Sequence, residues 1–140
     1  MANLMLRRMP REKDMAMQIS RNFLVIGALY LVLGVLLGMY MGGSGDHTLA
    51  PVHAHINLLG FTLMTAFGLS YRLLPALAGS GLAKAHFWLH QIGALVLLAM
   101  LAMLFTGRLT EAGMVPLAPI AEVMVLLGAI AFAVNLWRHA

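Results

Sequence analysis

The stretch PVHAHINLLGF, Pro51–Phe61, sets two histidines two residues apart at the front of a long apolar run. Proline suits the first turn of a helix, and Asp46 or Thr48 could cap that turn. On a helix His53 and His55 project about 200° apart, toward opposite sides. Two imidazoles so placed cannot chelate one ion, so each needs its own partner.

The surroundings of this stretch define its solvent. Of 140 residues, 61% are apolar and 10% carry formal charge, and the mean hydropathy is +0.88. A water-soluble chain of this length needs more polar surface, so the bilayer is the expected partner. The absence of cysteine excludes disulfides, thiolate metal sites and covalent heme attachment through Cys-x-x-Cys-His. The net charge of +4 does not point to nucleic acid, because the basic residues sit at the ends of apolar runs, where they report topology.

Hydrophobicity predicts an all-α integral membrane protein, a four-helix transmembrane bundle. The expected spans are 21–41, 52–74, 85–105 and 117–137, each long enough to cross about 30 Å of hydrocarbon. Residues 1–20 read as a basic cytoplasmic segment, and 21–140 as a single domain. The run from Phe23 to Met41 is too long for a secretory h-region, so the first helix reads as a retained span. The connections GGSGDHTLAP, PALAGSGLAK and TGRLTEAGMVP are short and rich in turn formers, as antiparallel neighbours require. With the N terminus inside, Arg7, Arg8, Arg11, Lys13, Arg21, Arg72, Lys84 and Arg138 are cytoplasmic and Arg108 alone is outside. That bias places both termini in the cytoplasm. Gly34 and Gly38 form a small-xxx-small pair that permits close helix contact, within the protomer or between copies.

Topology sorts the histidines by depth. His47 falls in the outer loop with His53 and His55 beside it. His86 and His90 fall at the inner end of the third span, on the order of 25 Å away. The inner pair shares one helix face and could bind a divalent metal. The plainer reading is hydrogen bonding to backbone or headgroups beside Trp88 and Lys84, since no acidic or thiol ligand completes a tetrahedral site. Two outer imidazoles on opposite faces, followed by Asn57 and Gly60, favour cofactor ligation instead, and histidine is a normal axial ligand of heme iron. Asn57, Gln91 and Asn135 read as interhelical hydrogen-bond partners. Glu122, in the first turn of the fourth helix, is either stabilised by that helix terminus or part of a proton relay near a heme edge.

Three elements in order then carry a family resemblance: His53-Ala-His55, Tyr71-Arg-Leu-Leu-Pro75 and His86-Phe-Trp-Leu89. They resemble the tenth and eleventh helices of heme–copper oxidase subunit I. The cbb-type cytochrome c oxidases are the closest branch and the nitric oxide reductases next. The match is clearest over residues 51–104, and the chain as a whole resembles the last four helices. The resemblance implies heme b as cofactor, with His53 facing the high-spin heme and His55 the low-spin heme. It makes Arg108 a candidate partner of heme propionates and sets the protein in a bacterial inner membrane. The copper-site histidines and the second low-spin ligand of that family have no counterpart here, so one copy cannot build an oxygen-reducing centre.

A second axial ligand would come from His47, from Met39, Met41 or Met114, or from His55 of a second copy across a two-fold axis. The expected protein is thus a small membrane cytochrome for electron transfer or diatomic gas binding. A homodimer is favoured, with a redox partner or oxidase subunits as further partners. The alternatives are an oxidase-like structural or assembly subunit and a minimal nitric oxide reductase-like enzyme.

Overall fold

The computed structural model describes the backbone of residues 2–139 and the side chains of residues 13–139. Four long helices account for nearly all of it: α1, Ala2–Ser44; α2, Ala50–Leu73; α3, Gly81–Phe105; and α4, Leu117–His139. All four are long and apolar enough to cross a membrane, the make-up of a multi-pass membrane protein. Short 3-10 turns at Pro75–Gly79 and Ala112–Met114 shape two of the connections. No strand occurs among the described residues.

The helices pair as two antiparallel hairpins, α1 with α2 and α3 with α4. In the first, Ala16, Ser20, Phe23, Gly27, Gly34 and Met41 of α1 are buried, a three-four spacing that makes one stripe. The facing stripe of α2 includes His53, Asn57, Gly60, Met64 and Gly68. The pair Gly34 and Gly38 therefore works inside the protomer. A Cβ on Gly34 would stand 2.6 Å from Asn57 Oδ1, and one on Gly38 would stand 3.1 Å from His53 Cε1. Glycine here lets two helices approach until polar side chains of one lie against the backbone of the other. The second hairpin uses the same device, with Gly93 against Ala121 and Val125 and Gly128 against the backbone of His90.

Helix α2 is not a uniform α-helix. Residues Ile56–Thr62 are π-helical, and Leu63 N–H reaches back to the Leu58 carbonyl, five residues away. Such a wide turn leaves carbonyls open to outside donors and often marks a functional segment. Its start also differs from expectation: neither Asp46 nor Thr48 caps α2. Leu49 occupies the N-cap without a side-chain bond, and Asp46 Oδ1 instead accepts hydrogen bonds from the N–H and hydroxyl of Thr48. Those bonds, the hydroxyl first, hold the Asp46 carboxyl below its usual range. Residue Asp46 stabilises the loop, and the first turn of α2 rests on Pro51, whose missing N–H needs no cap.

The α2–α3 connection is tucked inward, with Leu77 and Ala78 buried. Asn135 of α4 fixes it: its amide donates to the Leu77 carbonyl at 2.8 Å, and its oxygen accepts from the Ser80 hydroxyl at 2.8 Å. Of the three amides expected to bridge helices, Asn135 ties its helix to the loop. Gln91 makes a long contact of 3.5 Å to the Met64 sulfur of α2. The Asn57 amide bonds within its own helix, at 2.9 Å to the His53 carbonyl.

The α1–α2 seam yields a test. A Cβ on Gly60 would come within 2.6 Å of Tyr30 Cβ, whereas one on Gly42 meets nothing. Gly60→Ala should cost about 1–3 kcal/mol of stability through overpacking, read by denaturant titration in mixed micelles. Gly42→Ala should leave the midpoint unchanged or slightly raised.

Candidate functional site

Both histidines of the opening stretch lie in the α-helical first turns of α2 and point apart, as their spacing requires. His53 turns into the α1–α2 seam. Its ring packs on Gly38, and the Asn57 amide nitrogen stands 3.2 Å from its Nε2 and 3.5 Å from its Nδ1. One of its faces is thereby closed by α1 and an edge is held by Asn57.

His55 is partly exposed and lies off that seam. Its Nδ1 is 2.8 Å from the Pro51 carbonyl. A carbonyl only accepts, so Nδ1 carries the proton and Nε2 keeps its lone pair. Among the described residues that lone pair has no hydrogen-bond partner. A backbone carbonyl that fixes tautomer and ring orientation in this way leaves the other nitrogen available to an outside partner. Exposed His47 has the same polarity on a smaller scale, with Nδ1 at 3.0 Å from the Gly45 carbonyl. Of the thioethers, Met41 is buried, Met39 is 68% exposed and Met114 is half-buried. Arg108 and Glu122 are both exposed, the carboxylate on an outward part of α4 with Val123 and Leu126.

The second histidine pair departs most from expectation. His86 and His90 do not face outward beside exposed Trp88, although His90 does make the expected hydrogen bond to backbone. They are 0% and 1% exposed in the middle of the bundle, because α3 turns them inward and sends Trp88 to the opposite face. His90 Nε2 donates to the Leu59 carbonyl at 3.0 Å. Leu59 is four residues from His55, about 6 Å of helix rise, so His90 lies much nearer the outer pair than the expected depth. The reason is the wide π turn, which opens the Leu59 carbonyl to a donor from α3.

His86 Nδ1 is 3.0 Å from the Tyr71 hydroxyl, and the remaining nitrogens, His86 Nε2 and His90 Nδ1, are buried without a partner. Aromatic rings enclose them. Phe67 stands perpendicular to both, at 4.3 Å from the His86 ring and 5.1 Å from that of His90. Phe23 lies 5.1 Å from His86, as does Phe132. All four helices thus meet at this cluster. Among the described side chains, no three His, Cys, Asp or Glu converge to hold a metal ion, so the His86/His90 pair gains no third ligand of these types there.

Tyr71 and His86 belong to the resemblance motifs, but their contact was not legible in the sequence. Their separation of 15 residues spans two helix ends and a turn whose path only packing decides. Compared with protein-family models, curated proteins and solved structures, the chain matches none.

Removing the tyrosine hydroxyl isolates the inner bond. Tyr71→Phe keeps the ring and leaves His86 with no polar contact, so stability should fall by about 1–3 kcal/mol. Denaturant titration in micelles reads the loss, and Ser70→Ala, whose hydroxyl bonds only its own helix at the Ala66 carbonyl, should show less than half of it.

Proposed function

We propose that this protein is a small b-type heme-binding membrane protein of a bacterial inner membrane, serving electron transfer or diatomic gas binding. His55 would hold the heme iron. The observation that carries this reading is the His55 ring: Nδ1–H is held by the Pro51 carbonyl, and Nε2 presents its lone pair away from the α1–α2 seam. The His-x-His, Tyr-x-x-x-Pro and His-Phe-Trp-Leu elements, in the order of heme–copper oxidase subunit I, support the same cofactor.

The two outer histidines divide the work. His53 is enclosed by Gly38 and Asn57 and orders the start of α2. His55 offers a nitrogen base near the water boundary, at an edge of the protomer. A heme held there would supply one-electron chemistry and, if a coordination position stayed open, a place for a gas molecule. In a two-fold dimer His55 of the partner subunit would hold the same group from the other side, which uses one helix twice. Both termini then lie on the cytoplasmic side, as the eight-to-one count of basic residues favours, and exposed Arg108 stands on the same side as the cofactor. Retention of a fold as an oxidase-like structural subunit is the competing reading. It requires no cofactor.

Heme quantified per protomer, with a reduced-minus-oxidised spectrum under and without carbon monoxide, separates the two. The expected result is a low-spin spectrum at one heme per two chains, unchanged by carbon monoxide. His55→Ala should remove the absorbance outright, whereas His53→Ala should keep heme at reduced stability. A protein purified from heme-replete cells without heme absorbance, or His55→Ala with an unaltered spectrum, would sink the proposal.

A further inference from the structure

The end of the bundle opposite His55 carries a second feature. Between α1 and α3 lies a groove of about 610 Å³ whose walls include Arg21, Asn22, Val25, Phe87, Trp88 and Gln91. It continues into an adjoining hollow that shares Asn22, Phe87 and Trp88 and adds Lys84 and Gln18. The groove exists because aromatic packing wedges the two helices apart. Phe23 meets Phe87 edge-on at 4.9 Å, and Phe87 meets Trp88 at 5.4 Å. Trp88 is left 61% exposed as one wall.

The Phe23–Phe87 contact also sets the register of these two parallel helices. Arg21 lies two residues before Phe23 and Lys84 three before Phe87, so the two cations sit at nearly one level, within about 2 Å along the axis. Above them come the apolar Val25 and Ile26. The Gln91 amide, engaged only by the Met64 sulfur, is about 6 Å above Phe87. No carboxylate among the described residues lines either hollow. Among the described residues the nearest acidic side chain on α1 is Asp14, in a hollow that shares Arg21 and Gln18 with these two, about 10 Å lower along the helix. A pair of cations at one level, an amphipathic indole beside them, amides slightly deeper and an apolar wall beyond reproduce, in order, what a phosphodiester, a glycerol backbone and an acyl chain require.

We propose that this groove binds an anionic glycerophospholipid of the leaflet at the N-terminal end of the bundle. Arg21 and Lys84 hold the phosphate, Asn22 and Gln91 face the ester region, and Val25, Ile26 and Trp88 flank the first part of an acyl chain. The proposal rests on the membrane character of the chain and is independent of the heme reading.

Trp88 supplies the readout, because only one other tryptophan exists and it can be removed as Trp137→Phe. The full chain with that change is reconstituted in phosphatidylcholine vesicles containing brominated phosphatidylglycerol or, at the same mole fraction, brominated phosphatidylcholine. Brominated phosphatidylglycerol should quench Trp88 at a mole fraction about five-fold lower or less, the scale of one cation near a membrane surface. Arg21→Gln/Lys84→Gln, at two exposed positions, should abolish that preference. Lys13→Gln/Arg72→Gln, the same charge loss in the separate hollow these residues share with Pro75, should preserve it. Equal quenching by the two lipids, a preference that survives Arg21→Gln/Lys84→Gln, or one lost equally in the control pair would overturn the proposal. So would displacement of the brominated lipid by decylubiquinone at equal mole fraction, which would assign the groove to a quinone.

Discussion

The hydrogen bond from His90 to the Leu59 carbonyl is the point on which this bundle turns. A buried polar group without a partner is costly, so an imidazole in the core of the bundle gains from each partner the protein itself supplies. A regular α-helix offers little there, because each carbonyl is already engaged four residues on. The π-helical stretch Ile56–Thr62 changes this by widening the turn, and His90 takes the Leu59 oxygen at 3.0 Å. That bond ties the α1–α2 hairpin to the α3–α4 hairpin. Around it, Phe23, Phe67 and Phe132 bring the remaining helices into contact with the two histidine rings.

The same geometry separates four buried or half-buried histidines into different tasks. His86 and His90 hold the hairpins together, and His53 belongs to the α1–α2 seam, where glycines let its ring lie against α1. His55 alone among them combines a backbone-fixed Nδ1–H with a nitrogen lone pair turned away from the packed seam. Chemistry follows from which nitrogen is spent on structure. The unpartnered nitrogens of His86 and His90 are sealed in the core, whereas that of His55 lies on a partly exposed ring.

Charge divides the bundle along its length. Arg21, Lys84, Lys13 and Arg72 gather at the end where α1 enters, together with two exposed tryptophans, while the opposite end carries His47, His55 and the lone Arg108. One end carries the cations of the proposed lipid groove and the other the unpaired nitrogen of His55. The π turn and the inner knot lie between them.

Much of this was legible in the residues themselves. Four apolar runs broken by glycine and proline fix four helices and their antiparallel order, because only helices satisfy their own backbone in a bilayer. The 200° divergence of His53 and His55 follows from helical pitch alone. What the sequence could not decide is which faces pack together. The Gly34–Gly38 stripe fits a partner chain as well as it fits α2, and the choice of α2 depends on His53 and Asn57 meeting it in register. Likewise, spacing placed His86 and His90 on one face without saying that the face is inward. Their burial, the tyrosine contact and the depth of His90 depend on a seven-residue π segment that shifts register within α2. A local pattern sets pitch and solvent; the tertiary structure alone decides which carbonyl is free and which nitrogen is left over.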